Sequence, residues 1–259
     1  MYFNNVHILV YGLIGLIGLI VGKFCAWCNK RLPEKKAIFS KEYFEEAKKG
    51  LDYNYVFMIL TAIIYMFLLF KFGIKDTFLK NLDLIKFFVL VPMLELTFFI
   101  DLKHRIIPNR LNMTMFEIGI IFTFVYGIAN INVLKDMILG MCVGGGLFFT
   151  ITLLGGLVAG KEAMGLGDVK FMGAVGLYLG ASVTAEVSFL AFLLAAVISI
   201  VVIIVRKFII KSTDDEIPFG PFLSLAALLC IFLPHNVVFS TFADMCRMLS
   251  SMIITLMMG

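Results

Sequence analysis

Charged side chains are scarce in this chain: they make up 15% of its 259 residues, against about a quarter in an average soluble domain. Hydrophobic residues account for 61%. A chain with so little charge and so much apolar surface is not an ordinary soluble enzyme. The composition instead predicts a protein whose partner is the lipid bilayer.

Cysteines are few as well, and their number is odd, so they give no disulfide framework. Cys25 and Cys28 form one CxxC motif, but no second pair completes the ligand set of a structural zinc site. We therefore expect no bound metal and regard most cysteines as small core residues. HExxH, GxSxG and Walker motifs are also absent from the sequence, which leaves the corresponding classes of enzyme without support.

Hydropathy predicts an all-α polytopic integral membrane protein that forms one domain over 1–259, with about eight transmembrane helices. The sixth apolar run has only about 12 residues, or about 18 Å of helix, and is too short to cross the bilayer. Its first residue should therefore lie inside the membrane boundary. The predicted spans lie near 5–27, 53–70, 84–101, 112–129, 137–159, 169–182, 184–205 and 221–240.

The basic residues predict the orientation of these spans. Most of the 22 lysines and arginines fall in alternate loops, which the positive-inside rule places in the cytoplasm, with the N-terminus outside. Because they cluster at span ends, they suggest no nucleic-acid partner. Segment 32–50 becomes a short cytoplasmic loop with a helix capped by Ser40, either a solvated face or a substrate-docking surface. Segment 242–259 is expected to be an interfacial C-terminal helix.

Two acids stand at the predicted cytoplasmic edge of different spans. Asp168 follows Gly167 at the start of the sixth span, and Asp101 ends the third. An acid inside a membrane is costly and therefore indicates a functional site. Two neighbouring carboxylates, one protonated and one anionic, could activate water for peptide hydrolysis without a metal. The alternatives are that Asp168 only caps a helix and that Asp101 only pairs with Arg105.

Several neighbours are candidates for supporting roles. Gly165 and Gly167 remove side-chain bulk and permit unusual backbone angles, which would let an extended substrate reach Asp168. Lys170 and Glu95 are candidates for supporting the acids, although Glu95 should not share a helix face with Asp101. The glycine clusters at 144–146 and 155–156 predict close helix packing.

Four motifs occur in order along the chain: Gly22 to Pro33, Asp101 followed by Ile107-Pro108-Asn109, the GxGD segment 165–168 with Val169-Lys170, and an IPFGP segment at 217–221. With these motifs the chain resembles the type IV prepilin peptidases, a group within the GxGD intramembrane aspartyl proteases. The resemblance covers most of the chain.

The resemblance implies an aspartic endopeptidase of the inner (plasma) membrane, with Asp101 and Asp168 as its catalytic pair. Its substrates would be type IV prepilins or pseudopilins, cut on the cytoplasmic side, often at a Gly-Phe bond. Gly165, Gly167, Pro218 and Gly220 become candidate substrate-binding residues.

Many family members also bind zinc through two CxxC pairs in the first loop, and methylate the new N-terminus with S-adenosylmethionine. Segment 32–50 has no cysteine, so zinc is not expected, and S-adenosylmethionine is implied only if the chain methylates. The alternatives are an archaeal-type preflagellin peptidase, a bifunctional peptidase and N-methyltransferase, and an ion- or proton-coupled transporter. The absence of an internal repeat disfavours the transporter. The oligomeric state is not predicted.

Overall fold

The computed structural model describes residues 2–3, 6–38, 55–75, 77–159, 164–205 and 217–258. Two short strands, β1 (Tyr2–Phe3) and β2 (Val6–His7), pair antiparallel before the first helix. The other regular elements in these described ranges are helices. The helices are α1 (Ile8–Arg31), α2 (Tyr55–Phe72), α3 (Phe78–His104), α4 (Asn109–Ala129), α5 (Ile131–Ala159), α6 (Leu166–Val205), α7 (Gly220–Phe232) and α8 (Val237–Met258).

The outer surface of these helices is apolar. Leu9 is 73% exposed and Leu157 is 82% exposed, as expected for side chains that face lipid. Among the described residues, five helices are long and apolar enough to span a membrane, or six if the bent pair of α7 and α8 counts as one span. The prediction of a polytopic helical membrane protein is confirmed.

The predicted number of about eight spans is not reproduced. Lys86, Glu95 and Asp101 interrupt the apolar character of α3, which is not among the helices that qualify as spans. The predicted sixth and seventh spans form one long helix, α6, broken at Gly180. The predicted eighth span, 221–240, is interrupted because α7 ends at Phe232 and α8 begins at Val237, at 99° to it.

The break at Gly180 divides α6 into two parts. Its backbone angles, φ 78° and ψ 174°, are strained for residues with a side chain, so glycine permits the break here. The first part packs against α4, α5 and α7 and forms the centre of the bundle. Phe171, Met172 and Val175 are fully buried there. The short sixth run predicted from the sequence is therefore this central segment, and Asp168 lies in its first turn.

Glycines allow α5 and α6 to pack with their backbones in contact. A Cβ atom on Gly176 would overlap the carbonyl group of Gly140, and one on Gly144 would overlap a backbone carbonyl of α6. The predicted packing role is thus confirmed for Gly144. It is wrong for Gly146 and Gly156, because a Cβ atom on either would meet no atom within 4 Å.

We expect Gly176→Ala to lower the free energy of unfolding by about 1–3 kcal/mol, because two backbones must separate to admit the methyl group. Gly146→Ala is the matched control: it lies on α5 and adds its methyl group to open space. Thermal unfolding of the two purified variants in detergent measures the difference. Equal midpoints for both would contradict the packing interpretation.

Two further expectations concern the first part of the chain. Cys25 and Cys28 are free thiols, 2% and 3% exposed, in an apolar cluster with Trp27. The helix predicted to begin at Ser40 lies outside the described residues.

Candidate active site

Asp101 lies in the last turn of α3, where the chain turns towards α4. The helix ends because Arg105 adopts the left-handed conformation, with φ 55°, and its N–H donates to the Asp101 carbonyl oxygen at 2.8 Å. The side chain of Asp101 is only 5% exposed. Its Oδ2 accepts a hydrogen bond from the backbone N–H of Gly220 at 2.8 Å. The first residue of α7 therefore fixes the carboxylate of Asp101.

The contact between Asp101 and Gly220 leaves no room for a side chain. A Cβ atom on Gly220 would lie 2.7 Å from Oδ2 of Asp101 and 3.0 Å from its Cγ. Pro221 follows at the start of α7, where a missing N–H costs nothing. Residues 218–221 of the sequence motif thus form the start of α7, and the backbone N–H of Gly220 donates to Asp101 on α3.

Asp168 is the third residue of α6 and is held by the residue that precedes the helix. Its backbone N–H donates to the Gly165 carbonyl oxygen at 3.0 Å, which closes the first turn of the helix. Asp168 is therefore not the N-cap residue itself, as one sequence-based alternative had it.

The two acids face one cavity. It has a volume of about 580 Å³ and is also lined by Arg105, Ile107 and Phe219. Since Asp101 lies near the end of α3 and Asp168 near the start of α6, the cavity lies at one end of the bundle. Two carboxylates around a space of this size could hold a water molecule and a peptide bond between them.

The other candidate residues fall into two groups. Gly165, Gly167 and Pro218 line the cavity, and Gly220 binds Asp101 from its edge. The expectation that Gly165 and Gly167 supply unusual backbone angles is wrong. Among the described residues, Gly73 and Gly180 are the glycines with positive φ.

Lys170 and Glu95 lie away from the cavity. Lys170 is exposed, and its Nζ donates to Oδ1 of Asn109 at 2.9 Å. It ties the start of α6 to the start of α4. Glu95 is buried beside a different cavity. The geometry does not support the supporting role predicted for either residue.

Asn112 supports the site but was not predicted. It lies on α4 and is 3% exposed, and its Nδ2 donates to the Gly167 carbonyl oxygen at 3.0 Å. Its Oδ1 is buried and has no hydrogen-bond partner among the described residues. The signal available in the sequence was a second asparagine in an otherwise apolar helix, three residues after the Asn109 of Ile-Pro-Asn. In the described part of the chain, no three His, Cys, Asp or Glu side chains are arranged to hold a metal ion.

Comparison with known proteins identifies the family of the chain. The profile of the type IV leader peptidase family matches residues 88–203, which include both acids. A leader peptidase of Escherichia coli, HopD, is 31% identical over 141 residues, which are 54% of this chain and 88% of that protein. The chain belongs to the type IV leader peptidase family. The family assigned by resemblance from the sequence motifs is thereby confirmed.

Other relatives of this leader peptidase family are longer. A prepilin leader peptidase/N-methyltransferase of Legionella pneumophila is 26% identical over 214 residues, 82% of this chain and 70% of that protein. One of Aeromonas hydrophila is 30% identical over 133 residues, 51% of this chain and 44% of that protein. The chain thus matches less than half the length of the Aeromonas protein. No solved structure shows a significant match.

Proposed function

We propose that this chain is an intramembrane aspartic endopeptidase that removes the leader from type IV prepilins or pseudopilins. The observation that carries the proposal is that Asp101 and Asp168, from two helices, line one cavity at the end of the bundle. The Asp101 carboxylate is held by the N–H of Gly220, from another helix, and the backbone of Asp168 is held by the Gly165 carbonyl oxygen. The chain belongs to the leader peptidase family, and this membership supplies the reaction class.

In the proposed mechanism the two carboxyl groups share one proton, because like charges at short range cannot both ionise easily. The anionic group takes a proton from a water molecule as the oxygen of that water attacks the peptide carbonyl carbon. The neutral group donates its proton to the carbonyl oxygen, and a proton passes to the leaving amine as the C–N bond breaks. The Gly220 amide keeps the Asp101 carboxylate in place throughout.

The substrate is proposed to enter as an extended strand. An extended peptide exposes its carbonyl groups, and the small residues Gly165 and Gly167 leave space beside Asp168. Lys103, Arg105 and Arg110 lie at the same end of the bundle as the cavity, which supports a cytoplasmic position by the positive-inside rule. The cut would then fall between a basic leader and an apolar segment, at a Gly-Phe type of bond, in the inner membrane.

The direct test is co-expression with a prepilin, followed by the electrophoretic mobility of the substrate and the mass of its new N-terminus. Wild type should shorten the prepilin, and a prepilin in which the glycine before the cut is replaced by a bulky residue should stay intact. Activity should survive dialysis against a chelator, because the proposed chemistry uses the two acids and needs no cofactor. An intact wild-type substrate would overturn the proposal.

Methyl transfer is a second candidate activity, favoured by the names of the Legionella and Aeromonas relatives. The same mass measurement decides it. A new N-terminus heavier by one methylene when S-adenosylmethionine is present supports a bifunctional enzyme. An unmodified N-terminus supports a peptidase alone.

A further inference from the structure

A second cavity of about 230 Å³ lies between α2, α3 and α7. Its walls are almost entirely apolar, with leucine side chains from all three helices and phenylalanine side chains from α3. Glu95 and Ser224 are the polar residues at its edge. Glu95 is only 4% exposed, so a carboxyl group is buried beside an apolar space. A buried ionisable group in a membrane protein indicates a function.

The two oxygens of Glu95 differ in their surroundings. Oε2 lies 2.5 Å from the hydroxyl of Thr61, whereas Oε1 is buried and has no hydrogen-bond partner among the described residues. The Thr61 hydroxyl is also 2.7 Å from the carbonyl oxygen of Phe57. Since a hydroxyl has one hydrogen, it cannot donate to both acceptors at once. A hydrogen on Oε2 would complete the pair and leave Oε1 as an unused acceptor on a side chain that lines the cavity.

The second cavity lies farther along two of the helices that position the first one, α3 and α7. On α3, Leu94 lies only about 20° around the helix from Asp101. On α7, Ser224 lies about 40° around the helix from Gly220. Both line the second cavity. On both helices the second cavity lies one to two turns farther towards the opposite end of the bundle, with Glu95 about 120° around α3 from Asp101.

An intramembrane substrate has donors that fit such an acceptor. A peptide must be extended where it is cut, so its apolar helix can begin only beyond the scissile bond. The first N–H groups of a helix have no partner within the helix, and in lipid they cannot bind water. Glu95 lies six residues from Asp101, or about 9 Å along α3. About three extended residues span that distance.

Resting on the proposed function, we propose that the second cavity binds the start of the apolar segment that follows the scissile bond. Oε1 of Glu95 accepts a backbone N–H from the first turn of the substrate helix. The apolar wall holds the side chains of that turn. Glu95 is thus a positioning residue that recognises an opened helix end rather than a particular side chain.

The test compares Glu95→Leu with Glu95→Gln on two substrates. One substrate contains the apolar segment, and the other ends directly after the scissile bond. On the long substrate, Glu95→Leu should lower kcat/KM about tenfold, mainly through KM, whereas Glu95→Gln should stay within about twofold of wild type. Glutamine keeps an acceptor oxygen for the cavity and can donate its NH₂ hydrogen to Thr61. On the short substrate both variants should match wild type.

Controls separate binding from a structural role. Glu117→Leu removes an exposed acid on α4, away from both cavities, and should leave both substrates unaffected. If Glu95→Leu does not fold, Leu228→Trp fills the same cavity and should show the same dependence on substrate length. Equal losses on both substrates would overturn the inference. Failure of wild type to cut any prepilin would instead overturn the proposed function.

Photocrosslinking tests the position directly. A benzoylphenylalanine placed in turn at each residue of the first two helical turns after the scissile bond is bound to the Asp168→Asn protein. We expect crosslinks from about the third residue onwards to segments 91–99 and 224–228. Crosslinks confined to other helices would contradict the proposed site.

Discussion

Replacing Asp168 by asparagine should lower the rate of leader cleavage at least about a thousandfold, the scale of general acid–base catalysis. Asparagine cannot take a proton from water or return one to the peptide. The backbone bond from the N–H of residue 168 to the Gly165 carbonyl oxygen is unaffected, so the first turn of α6 should form as before. Asp101→Asn should lower the rate by a similar factor, because it removes the other acid of the pair. Its remaining oxygen can still accept the Gly220 N–H, so the start of α7 should stay in place. Cleavage kinetics with a purified prepilin measure both.

The double variant gives the sharper control. Residues that act as one unit lose activity together, so Asp101→Asn combined with Asp168→Asn should be about as slow as either single variant. Unchanged thermal unfolding would show that the bundle is intact. If either single variant retained wild-type cleavage, that acid would have no part in the mechanism.

Gly220→Ala should lower kcat at least about a hundredfold while both acids remain in the chain. Its Cβ atom would lie 2.7 Å from Oδ2 of Asp101, so the carboxylate or the start of α7 must move. A displacement of about 1 Å at a catalytic group is sufficient for a loss of this size. KM should change much less, because the apolar contacts with the substrate remain. Steady-state kinetics distinguish the two parameters.

Gly165→Ala is the matched comparison for Gly220→Ala. A Cβ atom on Gly165 would lie 3.6 Å from Oδ2 of Asp168, which is an ordinary van der Waals contact. If the effect depends only on packing in the protein without substrate, Gly165→Ala should lower kcat far less than Gly220→Ala does. A loss as large as that of Gly220→Ala would mean that the substrate itself needs the space beside Asp168.

The two acids could be predicted because each interrupts an apolar run, a cost that indicates a function. The short sixth run likewise predicted a segment that does not cross the bilayer by itself, and this segment is the centre of the bundle before Gly180. Local patterns of charge and hydropathy carry both signals. The number of complete spans is not such a local property, since it depends on where Gly180 and Leu233 break the helices.

The support for Asp101 could not be predicted from local pattern. Its partner amide, Gly220, is 119 residues away, and a backbone N–H carries no signal in the sequence. The same holds for Asn112, whose partner is the backbone carbonyl of Gly167. For the GxGD glycines the sequence suggested both a lack of side-chain bulk and unusual backbone angles. Neither adopts a positive φ, whereas both line the cavity, which is consistent with the first reason.

The hydrogen bond from Gly220 also sets the boundaries for any attempt to shorten the protein. A fragment restricted to 88–203, the part that the family profile matches, would keep Asp101 and Asp168 but lack the amide that orients the former. The smallest piece worth producing for inhibitor screening therefore continues through α7 to Phe232.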